Sequence, residues 1–227
     1  MPQLSRAFVT IKQYSLHFLC LIILLLTSGN FALSEITFTE KLFNLVKTRY
    51  NQDAETRIRD WQSILQQQKN QPTNDQLYAI NRFFNQIDFV DDKQHWGKND
   101  YWATPVEFLA TNAGDCEDFT IAKYFSLIEL GVAAEKLRLM YVTATRPRQA
   151  HMVLAYYETP KSVPLVLDNI NKRILPATQR RDLIPIYSFN GNGLWHAKSK
   201  GQGRRLQSKN NNSLWKDLTE RMNQEYQ

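Results

Sequence analysis

Gly131 divides this sequence into two patterns of hydrophobic spacing, and no single-class fold accommodates both. Before it, apolar side chains recur at helical intervals. Phe43, Val46, Tyr50, Ile58, Trp61 and Leu65 predict helix over 36–70, and Phe119, Ala122, Phe125, Ile128 and Leu130 mark one face of a helix over 116–130. Between them, 71–74 (QPTN) is a break from which Thr73 or Asn74 can cap a helix over about 75–87, and 91–105 reads as an aromatic-rich loop ending at Pro105. After Gly131 come short runs rich in Val, Leu and Tyr: 137–145, 151–157, 165–170 and 173–177. The segments 146–149 (RPRQ) and 159–162 (TPKS) fit hairpin loops. Helices first and an antiparallel sheet second predict an α+β fold with segregated layers.

The N-terminal stretch is set apart from that fold. Arg6 and Lys12 precede the apolar run Leu16–Leu26, which is short for a membrane span, and Ala32-Leu33-Ser34 has the small-x-small pattern of a signal-peptidase site. Residues 1–34 are expected to be a signal peptide and the mature chain to work outside the cytoplasm. Retention of the leader as a membrane anchor is the other reading. The Phe18-Leu19 before Cys20 lacks the small residue that a lipidation site requires. The expected division is a folded domain over 35–195, with a helical lobe at 35–131 and a sheet lobe at 132–195, then a polar, basic, flexible tail at 196–227.

Charge excludes one class of function. The formal net charge is +6 and the isoelectric point about 9.3. Past the leader, however, the basic excess sits in the tail, and Glu35 to Trp195 is balanced. A nucleic-acid binder carries its basic patch on the folded body, so no nucleic-acid partner is expected.

Removing the leader leaves Cys116 as the single thiol, an unusual residue in an oxidising compartment unless it is buried or has a chemical role. Asp115 or Asn112 can cap the 116–130 helix, which puts Cys116 in its first turn. There the partial positive charge and free N–H groups favour a thiolate and can also bind an oxyanion. His151 opens a strand and Asp168 lies near the end of the next, so adjacent antiparallel strands can bring the two within hydrogen-bond reach. That order fits a nucleophile, a base and an orienting carboxylate. His95 and His196 fall in loop-like segments and are weaker candidates.

Asp115, Glu117 and Asp118 crowd the thiol and oppose its ionisation, so something cationic is required. No set of Cys and His has zinc spacing. Clustered hard oxygens suit calcium, although acidic residues in the first turn of a helix are also favoured without any ion. Trp96 and Trp102 either line a substrate groove, contact a partner or pack in the core.

The segments Tyr101–Pro105, Gly114–Phe119, Ala150–Leu154, Leu165–Asn169 and Tyr187–Asn190 together resemble the bacterial transglutaminase-like cysteine proteinases of the adhesin-processing, LapG type, over roughly 96–195. The resemblance implies a papain- or transglutaminase-like fold whose helical lobe carries Cys116 and whose sheet lobe carries His151 and Asp168. It implies a periplasmic, calcium-dependent cysteine protease, with the ion held by Asp115 and Glu117 and with Asp118 as a further candidate ligand. The implied substrate is the N-terminal region of a large surface adhesin, cut at a dialanine site to release it and disperse the biofilm. The implied inhibitory partner is an inner-membrane receptor for cyclic-di-GMP. The same triad also serves transglutaminases and cell-wall peptide amidases, and a calcium-binding module with a vestigial site is the non-enzymatic alternative.

Overall fold

The computed structural model describes residues 36–146, 148–196, 202–207, 210 and 212–226. The expected signal peptide lies outside the described residues. Seven α-helices and two sheets make up the described fold: a two-stranded parallel pair and a seven-stranded antiparallel sheet.

The helical half begins with α1 (Glu40–Arg49) and α2 (Gln52–Gln68), where the sequence predicts one helix. Asn51 divides them. Its extended backbone breaks the helical path, and its side chain accepts the Ala54 N–H at 2.8 Å as the cap of α2. The apolar stripe is as expected, with Phe43, Val46, Ile58, Trp61 and Leu65 all buried. Helix α3 (Thr73–Phe84) starts at Thr73 itself, after Pro72, without a capping side chain. The expected loop over 91–105 contains the short helix α4 (Asp92–His95), preceded by strand β1 (Asp88–Phe89).

Helix α5 (Pro105–Thr111) opens on a reciprocal cap. The Thr104 hydroxyl accepts the Glu107 N–H at 3.0 Å and the Glu107 carboxylate accepts the Thr104 N–H at 2.9 Å, with Pro105 in the first turn. Asn112 then ends α5 with φ 54°, a left-handed conformation that Asn tolerates, so it is not the cap of the next helix. Strand β2 (Ala113–Gly114) pairs with β1 and leads directly into α6 (Cys116–Glu129). From Asp118 to Leu127 every residue of α6 is buried, which makes it the axle of the molecule. The Trp61 indole donates to the Ser126 hydroxyl at 2.8 Å and ties α2 to it.

The sheet consists of β3 (Leu137–Thr145), β4 (Arg148–Tyr156), β5 (Leu165–Leu167), β6 (Leu175–Pro176), β7 (Leu183–Asn190), β8 (Gly193–His196) and β9 (Arg205–Gln207), in the order β6-β5-β4-β3-β7-β8-β9. The long hairpin β3–β4 forms its middle, in register from Leu137 opposite Tyr156 to Thr145 opposite Arg148. Leu137, Leu139, Met152 and Leu154 join the helical core, while Met140, Val142, Val153 and Val166 make a smaller apolar layer on the other face. Strands β7 to β9 were not expected from spacing. Strand β7 carries Pro185 within its run, and β8 and β9 are only four and three residues long, so none shows a clear period.

The expectation of a flexible tail over 196–227 is corrected. Residues 205–207 form the edge strand, and α7 (Ser213–Glu225) docks on the core. Trp215, Leu218, Met222 and Tyr226 recur at helical intervals and are buried, and Trp215 stacks on Phe125 with centroids 5.6 Å apart. The folded body thus extends past 195. The polar stretch before α7 dominates the composition of the tail and masks this stripe.

Candidate active site

Cys116 is the first residue of α6, and strand β4 runs directly across that helix start. The half-buried thiol lies 2.8 Å from a Glu117 carboxylate oxygen and also receives the backbone N–H of Met152, the residue after His151. Beneath it, the Thr120 hydroxyl reaches both the Cys116 carbonyl at 2.8 Å and the Met152 carbonyl at 3.1 Å. Helix and strand are therefore locked together at the sulfur. Burial, then Glu117 and Asp115, push the Cys116 thiol well above its ordinary range, as the crowding of carboxylates in the sequence predicts.

His151 lies inside β4, opposite Val142, and not at its opening. It is 2% exposed, and its Nε2 contacts Asp168 Oδ1 at 2.8 Å. Asp168 stands just beyond β5, beside β4 in the sheet. Burial raises the Asp168 carboxyl, but the His151 hydrogen bond and charge, the Ile170 N–H and Arg180 outweigh it and hold the group well below the usual carboxylate range. An ionised Asp168 accepts a hydrogen bond from Nε2–H, which fixes the tautomer and leaves Nδ1 with its lone pair free for base chemistry. The sequence-derived pair is thus brought together.

Two partners of Asp168 were missed in the sequence. Arg180 Nη2 donates to Asp168 Oδ2 at 2.6 Å and to Asp182 at 2.7 Å. Asn85, the C-cap of α3, donates to the Asp168 carbonyl at 2.8 Å and accepts from the buried Lys123 ammonium at 2.7 Å. Burial pushes Lys123 down to about 7. None of these residues carries a recognisable local motif, since each reaches the site from a different element.

The expected acidic trio is only part of a larger cluster. Carboxylates of Asp92, Asp115 and Asp118 lie within 4.8 Å of one another, as do those of Asp92, Asp100 and Glu117. Asp92 and Asp100 come from the segment read as an aromatic loop. Asp118 has both oxygens engaged, accepting the Ala103 N–H at 2.8 Å and the Asp115 N–H at 3.2 Å. By contrast, Asp92 Oδ1 and Asp115 Oδ1 are buried without a hydrogen-bond partner. Burial and the neighbouring Glu117 and Asp118 push Asp115 up to about 10, and burial takes Asp92 up to about 6. Orphaned buried oxygens in a histidine-free set of carboxylates fit a hard divalent cation bound through oxygen.

The remaining candidates separate clearly. Trp102 is buried and stacked on Phe189 with centroids 5.6 Å apart, so it is a core residue. Trp96 is half-buried between His95 and Tyr101. His95 contacts the Thr111 hydroxyl at 3.0 Å, and His196 is exposed on β8, so neither joins the site. Tyr141 and Tyr187, with ring centroids 4.6 Å apart, were not anticipated. Tyr141 lies opposite Met152 in the sheet, and burial first and then Glu117, Tyr187, Asp100 and Cys116 raise its hydroxyl.

Residues 46–223 match the family of bacterial transglutaminase-like cysteine proteinases. Among solved structures, the chain is similar to LapG of Legionella pneumophila in an EGTA-treated form, at 40% identity and a TM-score of 0.73, covering 83% of this chain and 100% of that one. It is likewise similar to calcium-bound LapG of the same organism, at 41% identity and a TM-score of 0.70, covering 81% of this chain and 98% of that one. A search of curated protein sequences finds no match.

Proposed function

The chain belongs to the bacterial transglutaminase-like cysteine proteinases, and from that premise we propose that it is a calcium-dependent endopeptidase with Cys116 as nucleophile, His151 as base and Asp168 as orienting carboxylate. The observation that carries this reading is the thiol at the start of α6, bonded to the N–H of Met152, the residue that follows the His151 of a buried His151–Asp168 pair. The carboxylate cluster on the same helix start supports the metal requirement, as do the calcium-bound and EGTA-treated forms of LapG.

The chemistry is acyl transfer. His151 Nδ1 takes the thiol proton and sulfur attacks the peptide carbonyl carbon. N–H groups in the first turn of α6 hold the oxyanion. The C–N bond breaks as His151 returns the proton to the departing amine, leaving a thioester on Cys116. His151 then deprotonates water, which attacks the thioester, and the acid and the free thiol are released. When bound, a calcium ion supplies the positive charge that offsets Asp115 and Glu117 and favours the thiolate. Asp92, Asp115 and Glu117 would hold it, with Asp100 at the rim and Asp118 ordering the loop or adding a ligand.

The proposed substrate is the N-terminal region of a large surface adhesin, cut at a dialanine site in the periplasm, with release of the adhesin and dispersal of the biofilm. The proposed inhibitory partner is an inner-membrane receptor for cyclic-di-GMP. These follow from the likeness to the LapG type. The test is incubation of the purified protein with an adhesin N-terminal fragment in calcium, in EGTA, and with Cys116→Ala. Two fragments are expected only from wild type with calcium. Amine incorporation without cleavage would establish transglutaminase activity instead, and cleavage by Cys116→Ala would remove the thiol from the mechanism.

A further inference from the structure

The end of α7 grips the segment that closes over the carboxylate cluster. On the inner side of that segment, the Tyr101 N–H donates to Asp92 Oδ2 at 2.5 Å and the Ala103 N–H donates to Asp118 Oδ1 at 2.8 Å. Trp102 lies between these two donors, and its carbonyl accepts Arg221 Nη2 at 2.6 Å. The same guanidinium pairs through Nη1 with Glu107, and it stands 4.6 Å from the Tyr101 ring centroid. The Tyr101 hydroxyl donates to Glu107 at 2.9 Å, so ring, carboxylate and guanidinium form one closed set. One turn on, Glu225 accepts the Thr104 hydroxyl at 2.8 Å. Residues 101–104 are therefore held from outside by α7 while their N–H groups aim two acidic side chains from inside.

We propose that Arg221 is a positioning residue for the cation site: by fixing the Trp102 peptide it sets the flanking N–H groups that orient Asp92 and Asp118, and so raises affinity for calcium. The inference rests on the calcium reading above. Its physical basis is the fork of the guanidinium, which satisfies a carbonyl and a carboxylate at once, a geometry that an ammonium does not reproduce. Groups that orient metal-binding side chains through a hydrogen bond govern affinity without touching the ion.

The test is calorimetric titration of calcium into the full chain, comparing wild type with Arg221→Met, Arg221→Lys and Ile58→Ala. Ile58 is a fully buried core residue of α2 that makes none of the hydrogen bonds holding the 101–104 segment, and its truncation lowers stability. Arg221→Met is expected to weaken calcium binding by about 10- to 100-fold. Arg221→Lys keeps a cation for Glu107 but loses the fork, and is expected to fall between Arg221→Met and wild type. Ile58→Ala is expected to lower the thermal midpoint and leave calcium affinity unchanged. Wild-type affinity in Arg221→Met overturns the proposal, and so does an equal loss in Ile58→Ala, which would mean that affinity merely follows stability. If Arg221→Met does not fold, wild-type affinity in Arg221→Lys overturns it. Absence of binding by wild type would overturn the calcium reading itself, a result distinct from the others.

Discussion

Replacing Arg180 with Met leaves Asp168 a buried carboxylate short of one partner. In the intact protein Asp168 Oδ1 contacts His151 Nε2 at 2.8 Å and accepts the Ile170 N–H at 3.0 Å, while Oδ2 relies on Arg180 at 2.6 Å. Both side chains of that last pair are essentially buried, at 2% and 0% exposure. Removing one member of such a pair costs about 3–5 kcal/mol, because the other charge stays buried without compensation. The bond from Arg180 to the more exposed Asp182 adds little, at most about 1 kcal/mol. For a chain of this size the loss corresponds to about 6–20 °C in thermal midpoint. Urea unfolding of wild type and Arg180→Met at neutral pH measures it directly.

The pH dependence adds a second check on the same variant. Asp168 is depressed in the native state, so its stabilisation is present above the unfolded value near about 4 and disappears as pH falls through the native value. Without Arg180 the native value rises, and the carboxyl of the variant protonates first on acidification. The gap between wild type and variant should therefore be full at neutral pH and narrow as pH falls below about 4. Cleavage should fall by about 10- to 100-fold through looser orientation of His151, with calcium affinity unchanged. A stability loss below about 1 kcal/mol at neutral pH, or a gap that widens in acid, would refute the reasoning.

Two further outcomes follow from other parts of the site. Lys123 is buried with its native value near about 7, whereas an unfolded lysine titrates near about 10.4, so the unfolded chain binds more protons between those values and stability should rise with pH across that window. Urea midpoints at neutral and alkaline pH should show this rise in wild type and a flattened response in Lys123→Met; an identical rise in the variant would remove Lys123 as its source. Gly114→Ala would place a Cβ 2.5 Å from Asp118 Oδ2 and 2.7 Å from Phe108, both buried. It should cost about 1–3 kcal/mol in thermal unfolding and weaken calcium binding, and a neutral result in both would show that Asp118 is freer than its contacts imply.

The change of period at Gly131 revealed the two-layer fold because α2 buries one regular stripe at helical spacing, whereas the β3–β4 hairpin alternates between the helical core and the smaller apolar layer. The place of Cys116 at a helix start and the contact between His151 and Asp168 were equally legible, since a capped helix start and two polar residues in neighbouring strand segments are local signals. Asp92, Asp100, Arg180 and Arg221 were not. Each is an ordinary charged residue in sequence and takes its place only when α4 and the loop after it, the segment after β6, or α7 folds against the site. The C-terminal helix was hidden for another reason: its apolar stripe of Trp215, Leu218, Met222 and Tyr226 follows a polar stretch that dominates the composition of the tail. Composition averages over a window, whereas burial depends on single faces.

The central claim is that Cys116 is activated by His151 once a cation offsets its acidic neighbours. Its most direct test is the rate of alkylation of Cys116 by iodoacetamide near neutral pH, followed by intact mass, with calcium, with EGTA, and with calcium in His151→Ala. Because the thiolate is the reacting form, each unit by which the thiol value rises costs about tenfold in rate. The account predicts fast labelling of the calcium-loaded wild type and labelling slower by at least about tenfold in both other samples. Equal rates in all three would contradict it.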